Sequence, residues 1–422
     1  MREMKDSGIE WIGKIPADWT LQRGKTIFAQ RLTKGNQSEI LLAATQKYGM
    51  LPQSEVEGVV QVKEDADLQQ FRTVHKKDFV ISLRSFQGGF EYSQYEGVCS
   101  PAYQVFYNTN PICHNYYRLL FKSDGFIQKM NSMTVGIREG KNIQYSDFAN
   151  SLIPVPPINQ QQHIADYLDR KCSQIDTIIA RQQEVIEKLK AYKLSVITEA
   201  VTKGLNPNVP MKDSGVEWIG EIPEHWQVPK IKYLATIASG GTPDRSHPEY
   251  WNGSINWAKT GELQNNELYE TEEKITELAL ENSSAKVFSV DTILVAMYGQ
   301  GKTRGMTALL KVPSATNQAC AGITVYSKDI TVSYLWLFLM GAYDAIREKA
   351  NGSGQPNLSG ALIADFNVTL PPIEEQMNIC KTVAMRLPHI DSIIKQKETI
   401  VDKLTAYKKS LIYEVVTGKK EV

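Results

Sequence analysis

Lys5-Asp6-Ser7-Gly8-Ile9-Glu10-Trp11-Ile12-Gly13-Lys14-Ile15-Pro16-Ala17-Asp18-Trp19 recurs 207 residues later as Lys212-Asp213-Ser214-Gly215-Val216-Glu217-Trp218-Ile219-Gly220-Glu221-Ile222-Pro223-Glu224-His225-Trp226. A second repeated block opens at Pro156-Pro157-Ile158 and again at Pro371-Pro372-Ile373. It continues through Ile175-Asp176 against Ile390-Asp391 and Ala191-Tyr192-Lys193 against Ala406-Tyr407-Lys408, an offset of 215. Between these blocks lie 20–155 and 227–370, similar in length and little alike in sequence. A repeat of this size sets the architecture before any local reading. The chain therefore divides into a lead (1–19), a first variable domain (20–155), a helical region (156–204), a second lead and linker (205–226), a second variable domain (227–370) and a C-terminal helical region (371–422).

Each helical region opens on two prolines, where a missing N–H costs nothing, and has a glycine, Gly204 or Gly418, placed to stop it. Steps of four and three from Leu168 give Leu168, Cys172, Ile175, Ile179, Gln182, Ile186, Leu189, Lys193, Val196 and Ala200. The equivalents are Val383, Leu387, Ile390, Ile394, Lys397, Val401, Leu404, Lys408, Leu411 and Val415, with the polar steps in the same places. These are two coiled-coil seams in one register. An amphipathic helix packed on its own domain would show the same stripe. The duplication and a length of ~65 Å at 1.5 Å per residue favour antiparallel pairing of the two helices, a spacer between the variable domains. Pro388 is placed to kink the second helix.

The variable domains read as α+β. Asp78-Phe79-Val80-Ile81-Ser82-Leu83 and Asp291-Thr292-Ile293-Leu294-Val295-Ala296 have strand character. Each precedes a glycine-rich polar loop, 84–92 or 297–305. Each then leads to a second strand through Cys99-Ser100-Pro101-Ala102-Tyr103 or Thr316-Asn317-Gln318-Ala319-Cys320. The two domains look like divergent copies of one fold.

Composition narrows the function. Lys plus Arg number 47 and Asp plus Glu 47, so no global positive field holds nucleic acid. Residues 20–153 carry a net charge of +3 and residues 227–367 a net of −2, weak support for DNA in the first domain and none in the second. The apolar run at 335–340 is far short of the ~18 to 20 residues of a membrane span, and the N-terminal residues lack a signal core, so the expectation is a cytoplasmic protein with no membrane partner. Five cysteines without a close pair do not make a disulfide framework. The six histidines lack metal-ligand spacing, and no nucleophile elbow occurs, so no catalytic or metal-ligating residue is assigned. Ala296-Met297-Tyr298-Gly299-Gln300-Gly301-Lys302-Thr303 imitates a phosphate-binding loop. A true one must open a helix, and Arg304-Gly305-Met306-Thr307 starts one poorly. Tyr298, Gln300, Lys302, Thr303 and Arg304 instead suit base edges and phosphates, as do Arg84, Ser85, Gln87, Arg138, Lys141 and Asn142, which lie in turn-like segments.

The chain resembles the specificity subunit of type I restriction-modification systems. The likeness lies in the paired Gly-x-Glu-Trp-Ile-Gly-x-Ile-Pro leads, the Pro-Pro-Ile-x-x-Gln openings at Gln161 and Gln376, and the helix ends at Val201-Thr202 and Val416-Thr417. It extends to Ser239-Gly240-Gly241-Thr242-Pro243, Tyr250-Trp251-Asn252-Gly253, Asn317-Gln318-Ala319 and Gly352-Ser353-Gly354-Gln355-Pro356-Asn357. Together with Ser100 and Tyr103, these segments add Thr242, Asn317, Gln318, Gln355 and Asn357 to the candidate DNA-contacting residues. The resemblance implies a non-catalytic subunit whose two target-recognition domains each read half of a bipartite, asymmetric site in double-stranded DNA. Its partners would be two methyltransferase subunits docked on the helices and endonuclease/translocase subunits in the full complex. S-adenosylmethionine, ATP and magnesium would be bound by those partners and not by this chain. The competing expectation is a structural coiled-coil scaffold carrying duplicated ligand-binding domains.

Overall fold

A computed structural model describes residues 2–35, 40–56, 68–133, 143–299, 301–350 and 357–422. Arg138, Lys141, Asn142, Gln300 and Gln355 lie outside the described residues. The two repeated blocks form helices at Ile158–Lys203, 46 residues, and Ile373–Val416, 44 residues. Gly204 and Gly418, both at φ 75°, lie just beyond their ends, in the left-handed conformation that glycine adopts without a Cβ penalty. The second helix continues through Pro388, although the ring removes one backbone hydrogen bond there.

The chain forms two units, residues 1–183 with 398–422, and residues 184–397. Each holds one lead, one variable domain, the first part of one long helix and the last part of the other. In the first unit, Gln161 accepts from the Cys113 N–H and Tyr116 donates to the Val416 carbonyl, which brings the start of one helix near the end of the other; further along, Asp176 meets Lys408. In the second unit, Gln376 bonds Thr331 while Tyr334 donates to Val201, and Asp391 meets Lys193. In both, one residue number rises as its partner's falls, so the helices are antiparallel. Burial follows the four-three stripe: Leu168, Cys172, Ile175, Ile186, Val383, Ile390, Ile394, Leu411 and Val415 are buried, and Ile179, Leu189, Val196, Leu387, Val401 and Leu404 half-buried.

The variable domain of the first unit is built on an antiparallel sheet ordered Phe28–Arg31, Gln104–Asn108, Phe79–Ile81, Glu91–Tyr92. The second unit repeats that order with Ala235–Ser239, Cys320–Val325, Ile293–Ala296 and Thr307–Leu310, then adds Asn266–Leu268 in parallel. The strands after Tyr103 and after Ala319 occupy equivalent places. The edge strands at 28–31 and 235–239 carry no alternation that marks them in the sequence. A knot of rings closes the first core, with Phe28, Phe79, Phe106, Phe121 and Phe148 all buried and in mutual contact. The second core is aliphatic around Tyr334, Leu335, Phe338 and Ile363.

Each lead forms a short hairpin, Met4–Asp6 with Lys14–Pro16 and Met211–Asp213 with Glu221–Pro223. The tryptophan that follows is buried and donates to the opening turn of a long helix, Trp19 to Gln160 at 2.7 Å and Trp226 to Glu375 at 3.0 Å. Gly418 packs on Pro16 and Trp19, and Gly204 on Pro223 and Trp226. Each lead is thus wedged where one helix starts and the other stops.

Candidate nucleic-acid interface

One end of the second unit's sheet collects most of the polar candidates. Ala296, the last residue of its strand, pairs with Cys320, the first of the next, and Ser239 ends the neighbouring strand opposite Ala321. Tyr298, Asn317, Gln318 and Thr242 therefore emerge together, and the Leu358 N–H bonds the Met297 carbonyl, which brings Asn357 to the same end. The glycine pair in Ser239-Gly240-Gly241-Thr242-Pro243 is required by close approach. A Cβ on Gly240 would lie 2.2 Å from the Thr316 carbonyl oxygen, and one on Gly241 2.3 Å from Ser284 and Ala285 backbone. The Thr242 hydroxyl bonds the exposed Gln318 amide.

The loop at 297–306 links Ile293–Ala296 to Thr307–Leu310, strand to strand. It opens no helix, so the phosphate-loop geometry is absent from it. Gly299, Gly301 and Gly305 take φ of 140°, 61° and 86°. The loop is braced from behind: the Tyr343 hydroxyl donates to the Lys302 carbonyl at 2.6 Å, and Arg347 donates to the carbonyls of Arg304 and Gly301, each at 2.8 Å. Tyr298 and Lys302 remain exposed, and Thr303 and Arg304 half-buried. A backbone held this way presents side chains with little ordering left to lose on binding.

At the same sheet end lies a cleft of about 560 Å³ lined by Thr242, Asn317, Gln318, Trp257, Lys259 and Arg245. Sequence reasoning missed the last three. Arg245 lies 3.9 Å from the Trp251 ring centre and 5.2 Å from that of Trp257, and is ion-paired with Glu273 at 2.7 Å. Lys259 bonds Glu272 and Glu273, each at 2.9 Å, pairing that raises its pKa, while Arg245 and Lys259 together hold Glu273 below the usual carboxylate range against the desolvation that opposes them. The available signal was Tyr250-Trp251-Asn252-Gly253, an aromatic stretch shortly after an arginine.

In the first unit the corresponding sheet end carries 82–90 and 100–103. Arg84 and Gln87 are exposed on a helical turn, Ser85–Gly88. Ser85 and Tyr103 point inward, 1% and 3% exposed. The Ser85 hydroxyl accepts the Ser82 N–H at 2.8 Å, so its capacity is spent on closing the turn. These two side chains are thus placed in the turn and in the core. Ser100 is half-buried, and its hydroxyl accepts from the Ala102 N–H. Among the described residues no three His, Cys, Asp or Glu side chains gather as metal ligands, and no helix is long and apolar enough to cross a membrane.

The family model of the type I restriction modification DNA specificity domain matches the chain twice, at residues 13–188 and 223–409. The MjaIX specificity subunit of a type I restriction enzyme from Methanocaldococcus jannaschii is 34% identical over 188 residues, which span 43% of this chain and 41% of that protein. The MjaVIII specificity subunit of the same organism is 26% identical over 82% of this chain and 80% of its own length. Among solved structures, a chain from work on complex assembly and conformational transition of the type I R-M system superposes with a TM-score of 0.72 at 12% identity, over 96% of this chain and 99% of that one. At that identity the superposition speaks for the fold alone. Two family matches that together span most of the sequence, on two copies of one sheet with antiparallel helices between the repeats, give the conclusion that the chain belongs to the type I restriction-modification DNA specificity family, as a non-catalytic specificity subunit with two recognition domains.

Proposed function

We propose that each recognition domain reads one half of a bipartite, asymmetric site in double-stranded DNA through the sheet end that carries its exposed polar loops. The observation that carries this reading is the equivalence of the two ends: Arg84 and Gln87 follow one central strand as Tyr298 and Lys302 follow the other. Arginine, lysine and amide side chains on braced loops are the groups that suit major-groove edges and phosphates. Arg138, Lys141, Asn142, Gln300 and Gln355 remain members of the proposed contact set by sequence.

The long helices are the proposed spacer and docking platform. Besides its seam, each carries a second apolar row at heptad spacing, Ile178, Val185 and Tyr192 on one, Ile393, Ile400 and Tyr407 on the other, exposed except for the half-buried Ile393. The rows sit at equivalent positions, which suits two copies of one partner, the methyltransferase subunits. Adenine methylation with S-adenosylmethionine, and cleavage with ATP and magnesium by endonuclease/translocase subunits, fall to those partners in the cytoplasm. Co-expression with the methyltransferase in an unmethylated host, followed by genome-wide mapping of N6-methyladenine, tests the reading. A two-part asymmetric motif with a fixed gap is expected. A methylated complex whose sites share no two-part motif would refute it.

A further inference from the structure

We infer that Arg245 is the guanine-reading side chain of the second recognition domain, an inference that rests on the DNA-reading function proposed above. Its guanidinium is stacked 3.9 Å from the Trp251 ring centre, and one terminal nitrogen, Nη1, is ion-paired with Glu273 Oε2 at 2.7 Å. The side chain is nevertheless 55% exposed, and the structure gives Nε and Nη2 no protein acceptor among the described residues. An ordered cation with unfilled donors facing a cleft is poised for an acceptor from outside. Guanine O6 and N7 offer two adjacent acceptors in the major groove, the pattern that a planar guanidinium fork matches with two hydrogen bonds. Stacking and the ion pair hold the fork in advance, so less side-chain freedom is lost on contact.

The surroundings decide between base and phosphate. Glu262 and Glu272 line the same cleft, and Glu273 adjoins them. Lys259 is already committed to Glu272 and Glu273. Three carboxylates outnumber the two cations of the cleft, Arg245 and Lys259, so the cleft is a poor cradle for the DNA backbone. The same carboxylates do not oppose a base edge, where cytosine presents an amino donor that suits a carboxylate. Gln318 and Thr242, which line the same cleft, offer an amide and a hydroxyl for reading neighbouring base pairs.

The test uses the full complex with its methyltransferase partner and competition binding against duplexes in which each base pair of the second half-site is changed in turn. Wild-type protein is expected to discriminate at a G·C pair. Arg245→Ala is expected to lose about 5- to 150-fold of discrimination there, the worth of one bidentate contact, and to keep its preferences at every other position. Arg245→Lys is expected to retain affinity and recover only part of the discrimination, because an ammonium cannot form the fork. Uniform weakening on all sequences with a shallower salt dependence would make Arg245 a phosphate contact and overturn the inference, as would unchanged discrimination. Should Arg245→Ala fail to assemble, Glu273→Gln keeps the arginine and loosens it, with a partial loss expected at the same base pair and an unchanged preference overturning the role. A wild-type complex that prefers no sequence at all would instead sink the DNA-reading function, and this inference with it.

Discussion

The Lys408 ammonium lies 2.6 Å from the Asp176 carboxylate, and its counterpart 215 positions earlier, Lys193, lies 2.6 Å from Asp391. Lys193 and Lys408, which occupy the same polar step in the two apolar stripes, therefore make matched cross-helix pairs. Exposed pairs of this kind contribute at most ~1 kcal/mol each, and their stronger effect is on which register is tolerated. Asp176→Lys places two ammonium groups together and is expected to lower the thermal midpoint more than Asp176→Ala does. Adding Lys408→Asp to Asp176→Lys should restore most of the loss, as measured by thermal unfolding of these three variants and the wild type.

Val201 and Val416 directly follow the last stripe positions, Ala200 and Val415, and both carbonyls are taken by buried tyrosines. Tyr334 reaches Val201 at 3.1 Å and Thr369 at 2.8 Å, while Tyr116 reaches Val416 at 2.8 Å. The Val201 carbonyl also accepts from Thr369, whereas Tyr116 is the side-chain donor to Val416. Tyr116→Phe is expected to cost ~1 to 3 kcal/mol by leaving a buried acceptor unpaired, and Tyr334→Phe less. Urea unfolding midpoints compare the two.

Glu91 is buried in the edge strand Glu91–Tyr92 of the first recognition sheet, where desolvation pushes its carboxyl up to about 7 despite Lys122 at 2.7 Å. The folded value exceeds the ordinary 4.5, so the unfolded chain releases this proton first. Between those values the native state binds more protons, and this group's contribution to stability falls as pH rises through the window. Glu91→Gln removes the titration. The stability of wild type relative to this variant should therefore decline from pH 5 to pH 7.5 and level off above it, as read by denaturant unfolding across pH.

If the helices set the gap between half-sites, adding four residues to each lengthens them by ~6 Å. At ~3.4 Å per base pair along one strand, the unread gap should grow by ~1 to 2 base pairs. Mapping methylated sites for the lengthened variant checks this, and an unchanged gap would remove the spacer role.

The long helices were legible because a four-three stripe depends only on which residues alternate, and Leu168 to Ala200 repeats as Val383 to Val415 without a break in step. The sheet was half legible. Phe79–Ile81 and Ile293–Ala296 are central strands with apolar runs, whereas Phe28–Arg31 is an edge strand whose place is fixed by pairing with Gln104–Asn108. The site was harder to read. Ser85 and Tyr103 have the chemistry of contact residues, but packing turns them inward. The aromatic stretch at 250–253 is a faint local signal for Arg245, whose importance comes from Trp251, Trp257 and Glu273, gathered from separate stretches of chain. Gln161 and Gln376, visible only as repeated letters, are buried clamps that tie each helix start to its recognition domain.

The most direct measurement of the central claim is a domain exchange. Residues 227–370 are replaced by the corresponding domain of another specificity subunit of known target, the methyltransferase partner is supplied, and N6-methyladenine is mapped. One half of the motif is expected to change to the donor's while the other half and the gap stay as they were. A motif unchanged in both halves would contradict it.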